Sequence, residues 1–266
     1  MNYLKYVGLL IFIFSVLAAC QNNTKKTEEA VEDTNSSEET ALEKPQEDKA
    51  ETSDSKDEEE TTETTEKTDD KNLQAITAKI DEVKSYKAEL NLTATLDDLN
   101  EENLDAEVDI VNGDPPQIRL KSGGEERTVS RDGQTYFYNG TDWINVSESV
   151  DANLLYSVTY NQAVSALEAM SESLEVHEKD DKLIYEYQGD NLDIYRNLEA
   201  LIQVNFGQIA LESVETNVKF IIDNKEKRIE EITFDVNGTD SEGTFSIEGQ
   251  TRFSNFNEIE EIELPQ

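Results

Sequence analysis

The chain has 266 residues and a formal net charge of -37, from 60 acidic and 23 basic side chains and one histidine. This charge disfavours nucleic acid and anionic lipid surfaces as partners, because long-range electrostatics repel them, and it helps to keep a surface protein soluble. A single cysteine excludes an intramolecular disulfide.

The first twenty residues have the order of a secretory signal. Lys5 supplies a short positive start, residues 7–17 form an apolar run, and small residues precede Cys20. This order is typical of a cleaved signal peptide, and the apolar run is short for a membrane span. The alternative is an uncleaved anchor helix over residues 3–19. It would leave the protein on the same side of the same membrane.

The end of this segment, Leu17-Ala18-Ala19-Cys20, resembles the lipobox of bacterial lipoproteins. The resemblance implies that residues 1–19 are a signal peptide, cleaved between Ala19 and Cys20, and that Cys20 carries a thioether-linked diacylglycerol. Two acyl chains, each burying methylene groups at about 0.8 kcal/mol per group, anchor a protein stably where one chain is marginal. The sequence therefore predicts a lipid-anchored protein on the extracytoplasmic side of the cell membrane.

Residues 20–71 are predicted to be a disordered acidic linker. Residues 21–70 contain 19 acidic and 6 basic side chains, a net charge of -13, and they contain no aromatic residue. Such a segment cannot bury enough apolar surface to offset the entropy lost on ordering. The linker would lift a domain off the membrane, and its length favours a single membrane under a thick wall, as in Gram-positive cells. A tail that binds a basic partner is the alternative.

The remaining residues, 72–266, are sufficient for one hydrophobic core. Apolar side chains at helical spacing predict a helix that begins at Asn72. Apolar side chains then recur at every second residue, which predicts a hairpin of two long strands with one solvent-exposed face. Turn residues separate the strands that follow. The predicted strands of this half lie at residues 86–96, 104–110, 118–121, 127–130, 135–138 and 143–146.

The second half of this domain is predicted to alternate helices with long strands. The predicted helices span residues 151–171 and 191–205, and the predicted strands lie at residues 174–176, 183–187, 214–222, 232–236 and 245–253. The tail after residue 255 is expected along the sheet edge. The sum is an α+β fold in which a long antiparallel sheet curls around about three helices, because each helix has one apolar stripe to bury.

This order of elements resembles that of a known family. Three segments carry the resemblance: KIDEVKSYKAELNLTATL, RDGQTYFYNGTDWINVS and FSIEGQTRFSNFNEIEEIELP. The order is similar to the half-barrel fold of the periplasmic lipoprotein carriers (LolA-like) and of the mycobacterial lipid-transfer lipoproteins (LppX-like). It is more similar to a related family of Gram-positive lipoproteins of unassigned function. The resemblance implies a site for acyl chains between the curved sheet and the helices, and it carries no catalytic motif.

The sequence predicts no enzyme, no cofactor and no metal site. It contains no calcium-binding loop, phosphate-binding glycine loop or Gly-x-Ser-x-Gly elbow. The many carboxylates leave a paired acid–base site open, but no pair stands out. His177, the only histidine, lies in a polar strand and is predicted to be a surface residue.

The aromatic residues Tyr136, Phe137, Tyr138 and Trp143 cluster in one predicted hairpin. They either pack in the core or line a site for an apolar ligand, and Tyr136, Tyr138 and Trp143 are the candidate ligand-binding residues. Two functions follow. The chain binds a lipid or other amphiphile in a cavity between sheet and helices, or it is a non-enzymatic envelope module with a filled core that contacts another envelope protein.

Overall fold

The computed structural model describes residues 71–96, 100–152, 155–156, 158–202, 213–239 and 243–265. The predicted signal peptide, Cys20 and the acidic linker up to residue 70 lie outside the described residues. Within the described ranges there are three α-helices: α1 (Lys71–Ala78), α2 (Tyr160–Met170) and α3 (Leu192–Ile202). There are also eleven strands: β1 (Ser85–Leu96), β2 (Asn100–Val111), β3 (Gln117–Ser122), β4 (Glu125–Arg131), β5 (Gln134–Tyr138), β6 (Trp143–Asn145), β7 (Glu175–Lys179), β8 (Lys182–Gly189), β9 (Ser213–Asp223), β10 (Arg228–Thr239) and β11 (Thr244–Ser254).

All eleven strands form one open antiparallel sheet in the order β6-β5-β4-β3-β2-β1-β11-β10-β9-β8-β7. The sheet consists of two meanders, β1–β6 and β7–β11, which meet where the first strand pairs with the last. Ala88 of β1 is the partner of Phe253 of β11 at this seam. The prediction of an α+β fold with a long antiparallel sheet and about three helices is confirmed at this level.

The two faces of the sheet differ in polarity because apolar side chains recur every second residue. In β1, Tyr86, Ala88 and Leu90 are buried, whereas Lys87 and Glu89 point the other way and are half-buried. The face of Tyr86 is called the helix side below, and the opposite face is called the polar side. On the helix side, the ring of Tyr160 in α2 lies 5.9 Å from that of Tyr86 and 5.4 Å from that of Phe253.

Helix α2 is shorter than the sequence predicts. The predicted helix spans residues 151–171, but α2 begins at Tyr160, and the described residues before it are not α-helical. Thr159 has an extended backbone, and its side-chain oxygen accepts a hydrogen bond from Gln162 N at 3.3 Å. Such an N-cap fixes the start of a helix, which separates Leu155 and Tyr156 from the helical stripe.

Helices α2 and α3 each bury one stripe, as predicted from their apolar spacing. The buried stripe of α2 consists of Tyr160, Ala163, Val164, Ala166, Leu167 and Met170, and that of α3 of Ile194, Tyr195, Leu198, Leu201 and Ile202. Among the described residues, no helix is both long enough and apolar enough to cross a bilayer.

The C-terminal tail runs across the ends of β1 to β4 and does not follow either edge strand, β6 or β7, so the prediction of a tail along the sheet edge was wrong. Asn257, in a left-handed conformation, accepts a hydrogen bond from Lys84 N at 2.6 Å, next to the start of β1. Further along, Ile262 N donates to Gln117 Oε1 of β3 at 2.9 Å, and Arg131 of β4 donates to Ile262 O at 3.2 Å. The tail thus passes over strand ends from β1 to β4, because Ile262 gains burial there (1% exposed).

Candidate functional site

One row of side chains crosses the helix side from β1 to β6. The register aligns Ala88, Val108, Leu120, Thr128, Phe137 and Ile144 as successive cross-strand partners. Ala88 and Val108 are fully buried, but Leu120, Phe137 and Ile144 are only half-buried. We call these six residues the apolar row. Thr128, the polar member of the row, is buried (5% exposed), so the half-buried members are Leu120 of β3 and, next to the β6 edge, Phe137 and Ile144.

In the other half of the sheet, the helix side is fully buried at the centre, whereas Val176 of the edge strand β7, the partner of Tyr185, is 45% exposed. Tyr185 of β8, Phe220 of β9 and Ile232 of β10 are successive partners in one row, and each is 0% exposed. Helix α2 contacts β10, and α3 contacts β9. Since these contacts place both helices over β9 and β10, the apolar side chains of this central row are removed from water.

The predicted ligand-binding residues lie on the polar side. Tyr136 is the partner of Val129 and Asn145, and the rings of Tyr138 and Trp143 lie 5.3 Å apart. All three side chains are half-buried. Because side chains alternate between the two faces of a strand, Phe137 lies on the helix side and these three on the opposite face. The structure therefore brings Tyr138 and Trp143 together, but on the face away from the helices. Their role in binding stays a prediction.

Sequence reasoning missed the helix-side members of this hairpin. Phe137 belongs to the predicted aromatic cluster but not to the candidate ligand-binding residues, and Ile144 was not considered. The signal was the period of two, since Thr128, Thr135 and Phe137 share a face through the pairing of β4 with β5. The candidate residues were chosen because aromatic side chains cluster in this hairpin. Which of these side chains face the helices depends instead on their alternation along the strand.

Two buried tyrosine hydroxyls in the core have backbone partners. Tyr160 N donates to Tyr86 Oη at 3.0 Å, and Ile229 N donates to Tyr160 Oη at 3.3 Å. Burial raises the pKa of Tyr86 to about 12, because the charged phenolate is poorly solvated there. Burial also raises the pKa of Tyr160, so both hydroxyls are neutral at physiological pH.

Tyr156 is buried without such a partner. Its side chain belongs to the same core cluster and is 8% exposed, and its Oη makes no hydrogen bond in the part of the chain that the structure describes. Burial raises the pKa of Tyr156, and nearby Tyr86 raises it further. A buried hydroxyl left unpaired costs about 1–3 kcal/mol, so this atom is a polar group that none of the described residues satisfies.

The polar side carries a half-open recess over the second half of β1 and its neighbours. Two rows of side chains line it across β2, β1, β11, β10, β9 and β8: Asp105, Asn91, Gln250, Thr233, Lys219 and Glu186 in one, and Asn103, Thr93, Glu248, Asp235, Asn217 and Gln188 in the other. Acidic side chains predominate over the single cation, Lys219. Lys219 Nζ contacts Glu186 Oε2 at 2.8 Å and lowers the pKa of that carboxyl by hydrogen bonding.

The described residues provide no metal-binding cluster. They include no group of three or more histidine, cysteine, aspartate or glutamate side chains placed to hold a metal ion. His177 is exposed, as predicted, with its Nε2 3.5 Å from Glu186 Oε1 on the polar side. On the helix side the structure presents three half-buried apolar residues of one row, Leu120, Phe137 and Ile144, and elsewhere a buried Tyr156 hydroxyl without a hydrogen-bond partner among the described residues.

No family model matches the sequence, and no curated protein matches it. Among solved structures, the chain is similar to a LolA superfamily protein from Nitrosomonas europaea, at 13% identity over 73% of this chain and 94% of that one. It is also similar to a DUF1329 family protein from Desulfovibrio piger, at 10% identity over 69% of this chain and 90% of that one. The TM-score is 0.22 in both comparisons. One neighbour thus comes from the superfamily that the sequence motifs resemble, but at this TM-score neither likeness carries an argument about this chain.

Proposed function

We propose that this protein is a lipid-anchored, extracytoplasmic lipoprotein that binds a lipid or other amphiphile between the helices and the helix side of β2–β6. The observation that carries the proposal is the half-burial of Leu120, Phe137 and Ile144, which continue a fully buried row. An acyl chain laid on this row would remove apolar surface from water on both partners, at roughly 25 cal/mol per Å². Non-catalytic binding agrees with the lack of a catalytic motif in the sequence.

The anchor is the second part of the proposal. Cys20 would carry the diacylglycerol after cleavage behind Ala19, and the acidic linker would hold residues 72–266 away from the membrane of a Gram-positive cell. Growth of the host with an alkyne-labelled fatty acid tests this directly. We expect the wild-type chain to be labelled and Cys20→Ala to be unlabelled. Equal labelling of the two chains would contradict lipidation at Cys20.

Ligand binding is tested with the full chain in its own membrane. p-Benzoylphenylalanine is introduced in place of Phe137, which faces the helix side, or in place of Tyr136, the adjacent residue on the polar side. After irradiation, the peptide that contains the photoreactive residue is analysed by mass spectrometry. We expect an acyl-lipid adduct at position 137 and little or none at position 136. Equal adducts at both positions, or none at either, would refute an amphiphile site on the helix side.

The alternative is an interaction module that uses the polar side. The recess lined by Asn91, Gln188, Glu248 and their neighbours favours it, because exposed carboxylates and amides suit a basic or polar partner. A photoreactive residue in place of Asn217 would then crosslink to another envelope protein. Protein adducts at position 217 together with no lipid adduct at position 137 would replace the first proposal by this one.

A further inference from the structure

The recess on the polar side is a groove that runs across the strands. Its floor is the backbone of successive cross-strand partners: Leu92, Gly249, Phe234, Val218 and Tyr187. The two rows of polar side chains described above form its walls, and its volume is about 1040 Å³. From β2 to β8 the groove crosses five strand-to-strand spacings, roughly 24 Å in total. Its dimensions therefore suit an extended ligand.

Four amide side chains of the walls have no partner in the described part of the chain. Asn91, Gln188, Asn217 and Gln250 line the groove, and none of their side chains makes a hydrogen bond to another described residue. Each side-chain amide presents both donors and an acceptor. The ligand that satisfies them must therefore both donate and accept hydrogen bonds along its length.

A ligand in this groove meets side chains and not free backbone groups. Each of the six strands under the groove has a neighbouring strand on both sides, so the backbone groups of the floor are paired within the sheet. An extended peptide thus cannot gain backbone hydrogen bonds here by adding a strand. An anionic chain is disfavoured as well, because wall carboxylates such as Asp105 and Glu248 outnumber the single cation, Lys219.

We infer that the groove binds an uncharged glycan chain that carries N-acetyl groups. The hydroxyls of sugar rings both donate and accept, so they can pair with the amides and the carboxylates of the walls alike. An acetamido group adds one N–H and one C=O, which amides on adjacent strands can meet, as with the direct partners Asn91 and Gln250. Binding here is independent of the amphiphile site on the opposite face. The source of the chain, the glycan of a cell wall, rests on the proposed location.

Two neighbouring features extend the same surface. A smaller recess of about 240 Å³ shares Asn91 and Asp105 with the groove and reaches Lys121 of β3. Beyond it in strand order, Tyr138 of β5 and Trp143 of β6 present half-buried rings on the polar side, 5.3 Å apart. The negative face of an aromatic ring suits the C–H groups on the face of a sugar ring. Both features favour a chain longer than the groove itself.

The experiment uses the full chain, purified in a mild detergent without a sugar headgroup, and isothermal titration calorimetry. One ligand is the hexamer of N-acetylglucosamine, and another is cellohexaose, which has hydroxyls in place of the acetamido groups. Pentalysine represents a basic partner. Each ligand is titrated into the parent chain, Asn217→Ala, Gln250→Ala and Asn197→Ala. Asn197 is the matched control, because its amide is also half-buried but lies on α3.

We expect the parent chain to bind the N-acetylglucosamine hexamer, and to bind cellohexaose about tenfold more weakly. Asn217→Ala and Gln250→Ala should each raise the Kd of the hexamer about three- to tenfold, the effect of one lost hydrogen bond, and Asn197→Ala should leave it unchanged. The inference is overturned if the hexamer does not bind, if the two oligosaccharides bind equally, or if the wall variants bind like the parent chain. Binding of pentalysine but not of the hexamer would overturn it in favour of a basic partner. The lipid adduct at position 137 is measured separately, so failure of the amphiphile site is distinguished from failure of this inference.

Discussion

Strands β8–β11 and strands β3–β6 belong to one sheet, but their helix sides have different environments. In the first group, Tyr185, Phe220 and Ile232 are removed from water completely. In the second, Leu120, Phe137 and Ile144 remain half-buried at equivalent strand phase. The difference shows that an apolar strand face does not by itself guarantee that its side chains are buried. Burial depends on which elements are placed over the strand.

Chain connectivity accounts for this placement. Helix α2 precedes β7 and helix α3 lies between β8 and β9, so both belong to the second meander. They contact β10 and β9 respectively. The first meander runs from β1 to β6 through hairpins without an inserted helix, and the buried polar pair Ser130 and Thr135, whose hydroxyl oxygens lie 3.0 Å apart, occupies its helix side.

The largest expected effect comes from cavities made in the two halves. Phe220→Ala should lower the free energy of unfolding by about 3–5 kcal/mol, since the ring is fully buried. Phe137→Ala should cost about 1 kcal/mol, because part of its surface is already in water. Chemical denaturation of both variants measures the difference. Equal losses would mean that the halves are packed alike and would remove the basis for a site on β2–β6.

Two hydroxyl deletions sharpen the comparison within the tyrosine cluster. Tyr86→Phe should cost about 1–3 kcal/mol, because it leaves the buried backbone N–H of Tyr160 without an acceptor. Tyr156→Phe should leave stability unchanged or raise it, because no described protein group loses a bond. Thermal unfolding of the two variants tests this. A clear loss in Tyr156→Phe would show that its hydroxyl has a partner in the folded protein.

The tail contacts the ends of strands in the first meander. Asn257→Ala should cost about 1–2 kcal/mol, because its amide oxygen accepts from Lys84 N and its left-handed backbone favours Asn over Ala. Hydrogen exchange should show faster exchange in β1–β4 and little change in β8–β10. Uniform acceleration across all strands would show that the tail supports the whole sheet and not this half.

The smallest expected effect concerns a carboxylate on the polar side. Hydrogen bonds from Lys121 and Lys87 lower the pKa of Glu107 below its ordinary value of 4.5. Because the pKa of Glu107 is lower in the folded state, the ionised carboxylate adds to the free energy of unfolding above pH 4.5. This added stability is lost as the pH falls through the folded-state pKa. Glu107→Gln should thus lower the free energy of unfolding by at most about 1 kcal/mol at pH 7, because solvent screens the ion pairs of Glu107 with Lys87 and Lys121. In stronger acid it should have no effect.

Glu186 provides the matched control in the other half, since Lys219 lowers its pKa in the same way. Glu186→Gln should show the same pH dependence and a similar magnitude. Denaturant titrations of both variants between pH 3 and pH 7 would contradict the interpretation if either loss persisted in acid. A much larger effect at Glu107 would mean that ion pairs matter more in the half with the half-buried apolar row.

Much of the fold could be predicted from the sequence because strand phase and turns are local properties. The alternation in residues 86–96 predicts β1, and the helical spacing around Leu198 predicts α3. The start of α2 was missed because Leu155 and Tyr156 match a helical pattern, while the cap at Thr159 depends on one side-chain hydrogen bond. The course of the tail was missed because Gln117 and Arg131, its partners, are more than one hundred residues away.

The sequence by itself determined the eleven-strand alternation, the two apolar helix stripes and the polar character of the opposite face, since each follows from the spacing of side chains along the chain. The tertiary structure decided that α2 and α3 contact β10 and β9, that Phe137 and not Tyr136 faces the helix side, and that the buried Tyr156 hydroxyl has no partner among the described residues. These facts depend on contacts between residues far apart in the chain. Local spacing fixes which way a side chain points from its strand, whereas only the packed fold fixes what it meets there.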